Sequence, residues 1–121
     1  MAVVGKCRVL IVEDDIHTRA ALQNMLKLLG HEACGASTAA EALKLLRAQK
    51  FDAVLLDLVL PDESGVTVLE AIRRLEMRVK VAVVTALRNR PPELGDFKPD
   101  AFFNKPVDAF ELAAWVGSCG E

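Results

Sequence analysis

Residues 51–65 read FDAVLLDLVLPDESG, and this stretch decides the fold. Val54, Leu55 and Leu56 form a β-branched and aliphatic run bounded by polar residues, the pattern of a strand covered on both faces, as in a parallel sheet. Pro61, Asp62, Glu63, Ser64 and Gly65 supply the turn chemistry that ends such a strand and starts a helix. In open α/β sheets, ligands collect outside the carboxyl ends of the strands. The strand delivers Asp57 to that position, although on this stretch alone a capping or turn aspartate is an equal reading.

Working outward, Val9, Leu10, Ile11 and Val12 make another continuous apolar strand, halted by Glu13, Asp14 and Asp15. From Ile16 the period changes: Leu22, Met25, Leu26 and Leu29 form one stripe of an amphipathic helix, and Gly30 is placed to close it. His31 to Ala36 is a weak strand by propensity, read as one because a helix start follows. Thr38 and Glu41 form a capping box there, and Ala42, Leu43 and Leu46 give that helix its apolar face. Beyond Asp57, Val68, Leu69, Ile72 and Leu75 mark a third helix. Its charged end, Arg73, Arg74, Glu76 and Arg78, reads as a solvated face. Residues 79–85, VKVAVVT, are the fourth strand. Pro91, Pro92, Gly95 and Pro99 restrict the next helix to at most two turns. Ala101, Phe102 and Phe103 make a last strand, and Asp108 and Glu111 cap a final helix carrying Leu112, Trp115 and Val116.

Strand and helix thus alternate five times, with short connections and no repeat or low-complexity segment. The pattern predicts a single α/β domain over residues 1–121. Its architecture is a flavodoxin-like, doubly wound five-stranded parallel sheet of order 2-1-3-4-5, with helices on both faces and the fourth helix short or irregular.

The totals agree with one globular domain: 121 residues, 52% hydrophobic, 26% charged, and so few aromatics that Val, Leu, Ile and Ala must build the interior. A net charge of -2 and the lack of a basic stripe give no reason to expect direct nucleic acid binding. The N-terminal apolar run is too short to span a bilayer. Cys7, Cys34 and Cys119 cannot all pair within the chain and match no metal-ligand spacing, so they read as buried or inert thiols. A cytoplasmic location without membrane attachment is the expectation. His17 and His31 lack a partner at metal-ligand spacing and read as solvated.

In this fold Glu13, Asp14, Asp57, Thr85 and Lys105 all fall at carboxyl ends of strands. Converging carboxylates repel one another and raise their pKa values unless a cation neutralises them. A hard divalent ion suits such oxygen ligands, and Mg²⁺ is the expected choice where a phosphate shares the site. A lysine and a hydroxyl supply what a phosphoryl group needs around its oxygens. Taken singly, the acids could be helix N-terminal residues, Thr85 a strand-end threonine and Lys105 a surface lysine.

Together these residues resemble the receiver domain of two-component response regulators, over nearly the whole chain. The acidic pair Glu13 and Asp14 follows the first strand. Asp57, Pro61 and Gly65 keep the family's D-x-x-x-P-x-x-x-G spacing, Thr85 and Ala86 end the fourth strand, and Lys105 with Pro106 ends the fifth. The resemblance implies that Asp57 accepts a phosphoryl group from a sensor histidine kinase or a histidine phosphotransfer protein. It implies Mg²⁺ held by Glu13, Asp14, Asp57 and the backbone carbonyl of Val59. Lys105 contacts the phosphoryl group, Thr85 and Phe102 act as switch residues, and the bond before Pro106 is cis. Such a chain is a phosphoacceptor with self-catalysed phosphorylation rather than a turnover enzyme. It acts as a monomer or weak dimer on a downstream protein or separate output domain, through the face formed by the fourth strand, fourth helix, fifth strand and last helix.

Three departures stand out. Phe102 lacks the hydroxyl that a tyrosine would bring. The segment between Thr85 and Lys105 is short and carries three prolines. Val59 and Leu87 are apolar where polar side chains could orient water, which predicts slow loss of the phosphoryl group. A haloacid-dehalogenase-like phosphohydrolase needs a second acid two residues after the nucleophile, where Val59 stands. A nucleotide- or flavin-binding module lacks its glycine-rich loop. A receiver-like module signalling without phosphate would not need the acceptor groups that are all present.

Overall fold

A computed structural model describes residues 6–89 and 91–119, without the side chain of residue 93. In chain order it contains β1 (Arg8–Val12), α1 (Ile16–Leu28), β2 (Glu32–Ala36), α2 (Ala39–Ala48), β3 (Ala53–Leu56), α3 (Val66–Arg74), β4 (Lys80–Thr85), a 3-10 turn (Pro92–Leu94), β5 (Ala101–Asn104) and α4 (Ala109–Cys119). The strands form one parallel sheet in the order β2-β1-β3-β4-β5. This is the expected topology, with the fourth helix reduced to a single 3-10 turn between its prolines.

Because strand side chains alternate faces, the apolar runs build two cores at once. Leu10, Val12, Val54, Leu56, Val81 and Val83 face α2 and α3, which add Ala42, Leu46, Val68, Leu69 and Ile72. Val9, Ile11, Ala53, Leu55, Ala82 and Val84 face α1 and α4, which add Leu22, Leu26, Leu112 and Val116. Burying a Val or Leu side chain contributes about 1.5–3 kcal/mol, so aliphatic side chains carry most of both cores, with Phe51 a buried aromatic on the α2 and α3 side. Two residues assigned to apolar stripes do not join them. Leu29 is the C-cap of α1 and Leu75 that of α3, and both are exposed.

The caps follow the sequence, with additions. Asp15 caps α1, its carboxylate accepting from Thr18 N at 3.0 Å. Gly30 follows the end of α1 at φ 93°, a conformation that costs glycine little. Thr38 Oγ1 accepts from Glu41 N, but the Glu41 carboxylate reaches back to Ser37 N at 3.0 Å rather than to Thr38. Asp108 Oδ1 accepts from Phe110 N and Glu111 N at the start of α4. Glu76, just past α3, lies at φ 53° while Met77 N donates to Ile72 O at 3.0 Å, closing the helix with a non-glycine left-handed residue.

Three further expectations meet the structure. His31 is buried rather than solvated, because the backbone N–H of Cys7 donates to its Nδ1 at 3.0 Å. The basic end of α3 is not simply a solvated face. Arg73 donates to Lys98 O at 2.9 Å and pairs with Asp100 at 3.1 Å, and Arg74 stacks over the Phe97 ring at 5.3 Å. These two side chains fasten the irregular segment ahead of β5, where Leu94 is its buried plug. Of the thiols expected to be buried or inert, Cys7 is buried, its Sγ donating to Val116 O at 3.4 Å, and Cys34 and Cys119 are half-buried. Burial pushes the Cys7 thiol up and the Cys119 thiol up to about 11, which makes both poor nucleophiles near neutral pH. Among the described residues, no helix is long and apolar enough to cross a membrane.

Candidate functional site

β1, β3 and β5 all end on the same edge of the sheet, with β4 between β3 and β5, and each is followed by a charged side chain. Glu13 N donates to Ala36 O at 2.9 Å and Asp57 N to Val12 O at 3.0 Å, so the main chain carrying both acids is an extension of the sheet ladder. Glu13 and Asp57 are buried, at 3% and 6% exposure, whereas Asp14 is exposed. Carboxylate oxygens of Glu13, Asp14 and Asp57 lie within 4.8 Å of one another. Lys105 Nζ donates to Asp57 Oδ2 at 2.8 Å and to Glu13 Oε1. Four residues separated by up to 92 positions therefore share one pocket.

The second oxygen of each buried acid is also held. Asp57 Oδ1 accepts from Val59 N at 3.0 Å, and Glu13 Oε2 accepts from Asp15 N at 3.1 Å. Burial pushes the Glu13 carboxyl up; bonds from Lys105 and Asp15 N pull it back and the nearby Asp57 charge adds to the rise, leaving it above the usual carboxylate range. Burial by itself would lower the Lys105 ammonium, but its bonds to Asp57 and Glu13 override this and the net direction is up. One ammonium among three carboxylates leaves excess negative charge. That favours a hard cation with oxygen ligands, so the donor set fits Mg²⁺.

The loop after β3 is tightly folded. Val59 and Ser64 form an antiparallel bridge, and Gly65 packs directly against the acceptor's main chain: a Cβ there would lie 2.1 Å from Asp57 O and 2.7 Å from Leu58 Cα. Thr85, fully buried at the end of β4, faces Asn104 in the parallel register, and Lys105 N donates to Thr85 O at 2.9 Å. Lys105–Pro106 is a cis peptide. Phe102 is half-buried against the core on the α2 and α3 side. Val59 and Leu87 are exposed beside the pocket, at 55% and 37%.

Every residue singled out from sequence is thus at or beside this edge, Phe102 being the most distant in register. Sequence reasoning missed three supporting side chains. Arg19 Nη1 donates to Glu13 O at 2.7 Å and steadies the turn after β1. Asp62 accepts from Ala39 N at 3.0 Å and Ala40 N at 3.1 Å, tying the acceptor loop to the start of α2. Asn104 Nδ2 donates to Leu87 O at 2.6 Å. Each bond joins residues that no local spacing rule connects.

The profile of the response regulator receiver domain matches residues 9–116. The chain belongs to this family. It is 34% identical over 111 residues to the transcriptional regulatory protein PrrA of Mycobacterium tuberculosis, covering 90% of this chain and 48% of that protein. The chain spans about half the length of the curated relatives it matches. Among solved structures, a CheY-like receiver domain protein from Methanospirillum hungatei superimposes with a TM-score of 0.87 at 29% identity, over 93% of this chain and 92% of that one. The response regulator TrrA of Thermotoga maritima, solved in complex with Mg²⁺ and a beryllium fluoride, gives a TM-score of 0.84 at 29% identity, over 93% and 97%.

Proposed function

We propose that this receiver domain is a phosphorylatable switch with Asp57 as the phosphoacceptor. The observation that carries the reading is the convergence of Lys105 on Asp57 and Glu13, with Asp14 beside them, at the carboxyl edge of the sheet. A phosphohistidine of a sensor kinase or phosphotransfer protein is the donor. The Asp57 carboxylate attacks phosphorus, the P–N bond breaks, and its electron pair stays on the donor imidazole, which takes up a proton from solvent. Asp57 and Asp14, with Glu13 and the Val59 carbonyl, would hold Mg²⁺, which when bound offsets negative charge on the transferring group. Lys105 turns from the acceptor carboxylate to the arriving phosphoryl oxygens, and the Thr85 hydroxyl follows them. The modification adds roughly 1.5–2 negative charges at pH 7, enough to favour one arrangement of the Thr85 loop over another. The output is contact with a downstream protein or a separate output domain, and the chain is a self-catalysed phosphoacceptor rather than a turnover enzyme.

Intact mass spectrometry after incubation with Mg²⁺ and a small acyl phosphate tests this reading. One added phosphoryl group is expected in the parent and none in Asp57→Asn. Equal labelling of the two, or none in either, refutes the assignment.

A further inference from the structure

We propose that Asn104 is a positioning residue: its amide tethers the loop after β4 in the open arrangement and so opposes closure of Thr85 onto a phosphoryl group. The inference rests on the reading of Asp57 and Thr85 given above and adds a determinant of the switch equilibrium to it.

The turn after β4 is closed by two bonds of unequal quality. Leu87 N donates to Thr85 Oγ1 at 3.4 Å, at the weak end of the hydrogen-bond range, whereas Asn104 Nδ2 donates to Leu87 O at 2.6 Å. The donor of the shorter bond stands on the sheet and the acceptor on the loop. Asn104 ends β5 as the register partner of Thr85, and the next residue along, Lys105, donates its N–H to Thr85 O. The tether is therefore anchored beside the residue whose hydroxyl must move. Closure of the kind proposed for Thr85 would take its hydroxyl from Leu87 N and move Leu87 O relative to Asn104.

Little else restrains this loop among the described residues. Ala86, Leu87, Arg88 and Asn89 are exposed, and the chain beyond them leads to a 3-10 turn of three residues rather than to a helix whose first turn could fix the loop from its far side. Among the described residues, the Asn104 bond thus carries much of the loop's positioning. Asn104 is exposed, so water replaces the lost partner on closure, and a net hydrogen bond of this kind shifts the equilibrium by roughly 2- to 12-fold.

The test titrates Mg²⁺ and beryllofluoride, a phosphoryl mimic, into the full chain and follows the backbone amides of Ala86 and Leu87 by NMR. Asn104→Ala and Asn104→Leu, which lack the donor, should tighten apparent beryllofluoride affinity by roughly 2- to 12-fold, and Asn104→Thr, which restores a hydroxyl donor, should return part of the way. In the free proteins, hydrogen exchange at Leu87 should quicken in the first two variants, with the folding equilibrium constant lowered by no more than roughly the same 2- to 12-fold. Unchanged affinity together with unchanged Leu87 exchange overturns the tether. If the parent takes no beryllofluoride, the phosphoacceptor reading fails, and Leu87 exchange in the free variants still decides whether the bond restrains the loop.

Discussion

Replacing Gly65 with alanine probes how closely the acceptor strand and α3 are built together. The backbone at Gly65 is helical, at φ -59° and ψ -19°, so alanine meets no conformational objection there. The obstacle is contact. A Cβ would sit 2.1 Å from Asp57 O, and reaching even 3.0 Å requires a relative movement of roughly 0.9 Å. Neither side yields easily. Asp57 N is bonded to Val12 O, and Gly65 is bonded to Leu58 O through its N–H and to Val68 N through its carbonyl. Either α3 retreats, loosening the buried Val66, Val68, Leu69 and Ile72, or the acceptor main chain shifts. Overpacking of this kind costs about 1–3 kcal/mol, and a clash with backbone belongs at the upper end. Reduced freedom of the unfolded chain returns about 0.4–1 kcal/mol, so contact wins. Urea unfolding should show a net loss of about 2–2.6 kcal/mol, and mass spectrometry should show slower phosphoryl uptake. Gly35→Ala is the comparison: a Cβ there meets only side-chain atoms, Arg19 Cδ at 2.9 Å and Gln23 Oε1 at 3.1 Å, so it should cost less than Gly65→Ala and act chiefly through the Arg19 bond to Glu13 O. A Gly65→Ala variant as stable and as quickly labelled as the parent, or one less affected than Gly35→Ala, refutes the reasoning.

Other outcomes follow from the same geometry. Changing Val59 to Asn and Leu87 to Glu places polar groups beside the pocket, and phosphoryl loss, followed by decay of the labelled protein, should quicken; a rate equal to or slower than the parent's counts against slow hydrolysis as a property of these two side chains. The Lys105 pKa is raised above 10.5 in the fold, so the stability it brings is complete below that value and lost as pH rises through the folded pKa. The difference in unfolding free energy between the parent and Lys105→Met should therefore shrink in alkaline solution, and a difference constant through that range would show the pairing to be energetically idle. Glu76→Gly should raise stability by up to about 1 kcal/mol, because glycine tolerates the left-handed closure of α3 that glutamate endures; thermal unfolding measures this.

The parts of the molecule that were legible in the sequence are those set by periodicity and caps. The runs at Val9–Val12 and Val54–Leu56 are buried on both faces, and the alternation with amphipathic helices leaves few topologies. Asp57, Glu13, Asp14, Thr85 and Lys105 could be placed together because strand ends converge in such a sheet. Other features were hidden because they depend on partners distant in sequence. His31 reads as a solvated histidine until the Cys7 amide is seen donating to its ring nitrogen. Arg73 and Arg74 read as solvent-facing until the segment before β5 folds back under them. Leu29 and Leu75 fit the helical period but stand at the C-caps, where the backbone leaves helical geometry and the side chains are exposed.

The bond from Asp62 to the first turn of α2 bears on the order of events in folding. Asp62 lies 23 positions beyond Ala39, with β3 and most of the acceptor loop between them. The front of α2 therefore cannot be fully secured until a later part of the chain has been laid into the sheet. When that later part loosens, the Ala39 and Ala40 amides should lose protection along with it, even though Thr38 still holds its own side of the helix start.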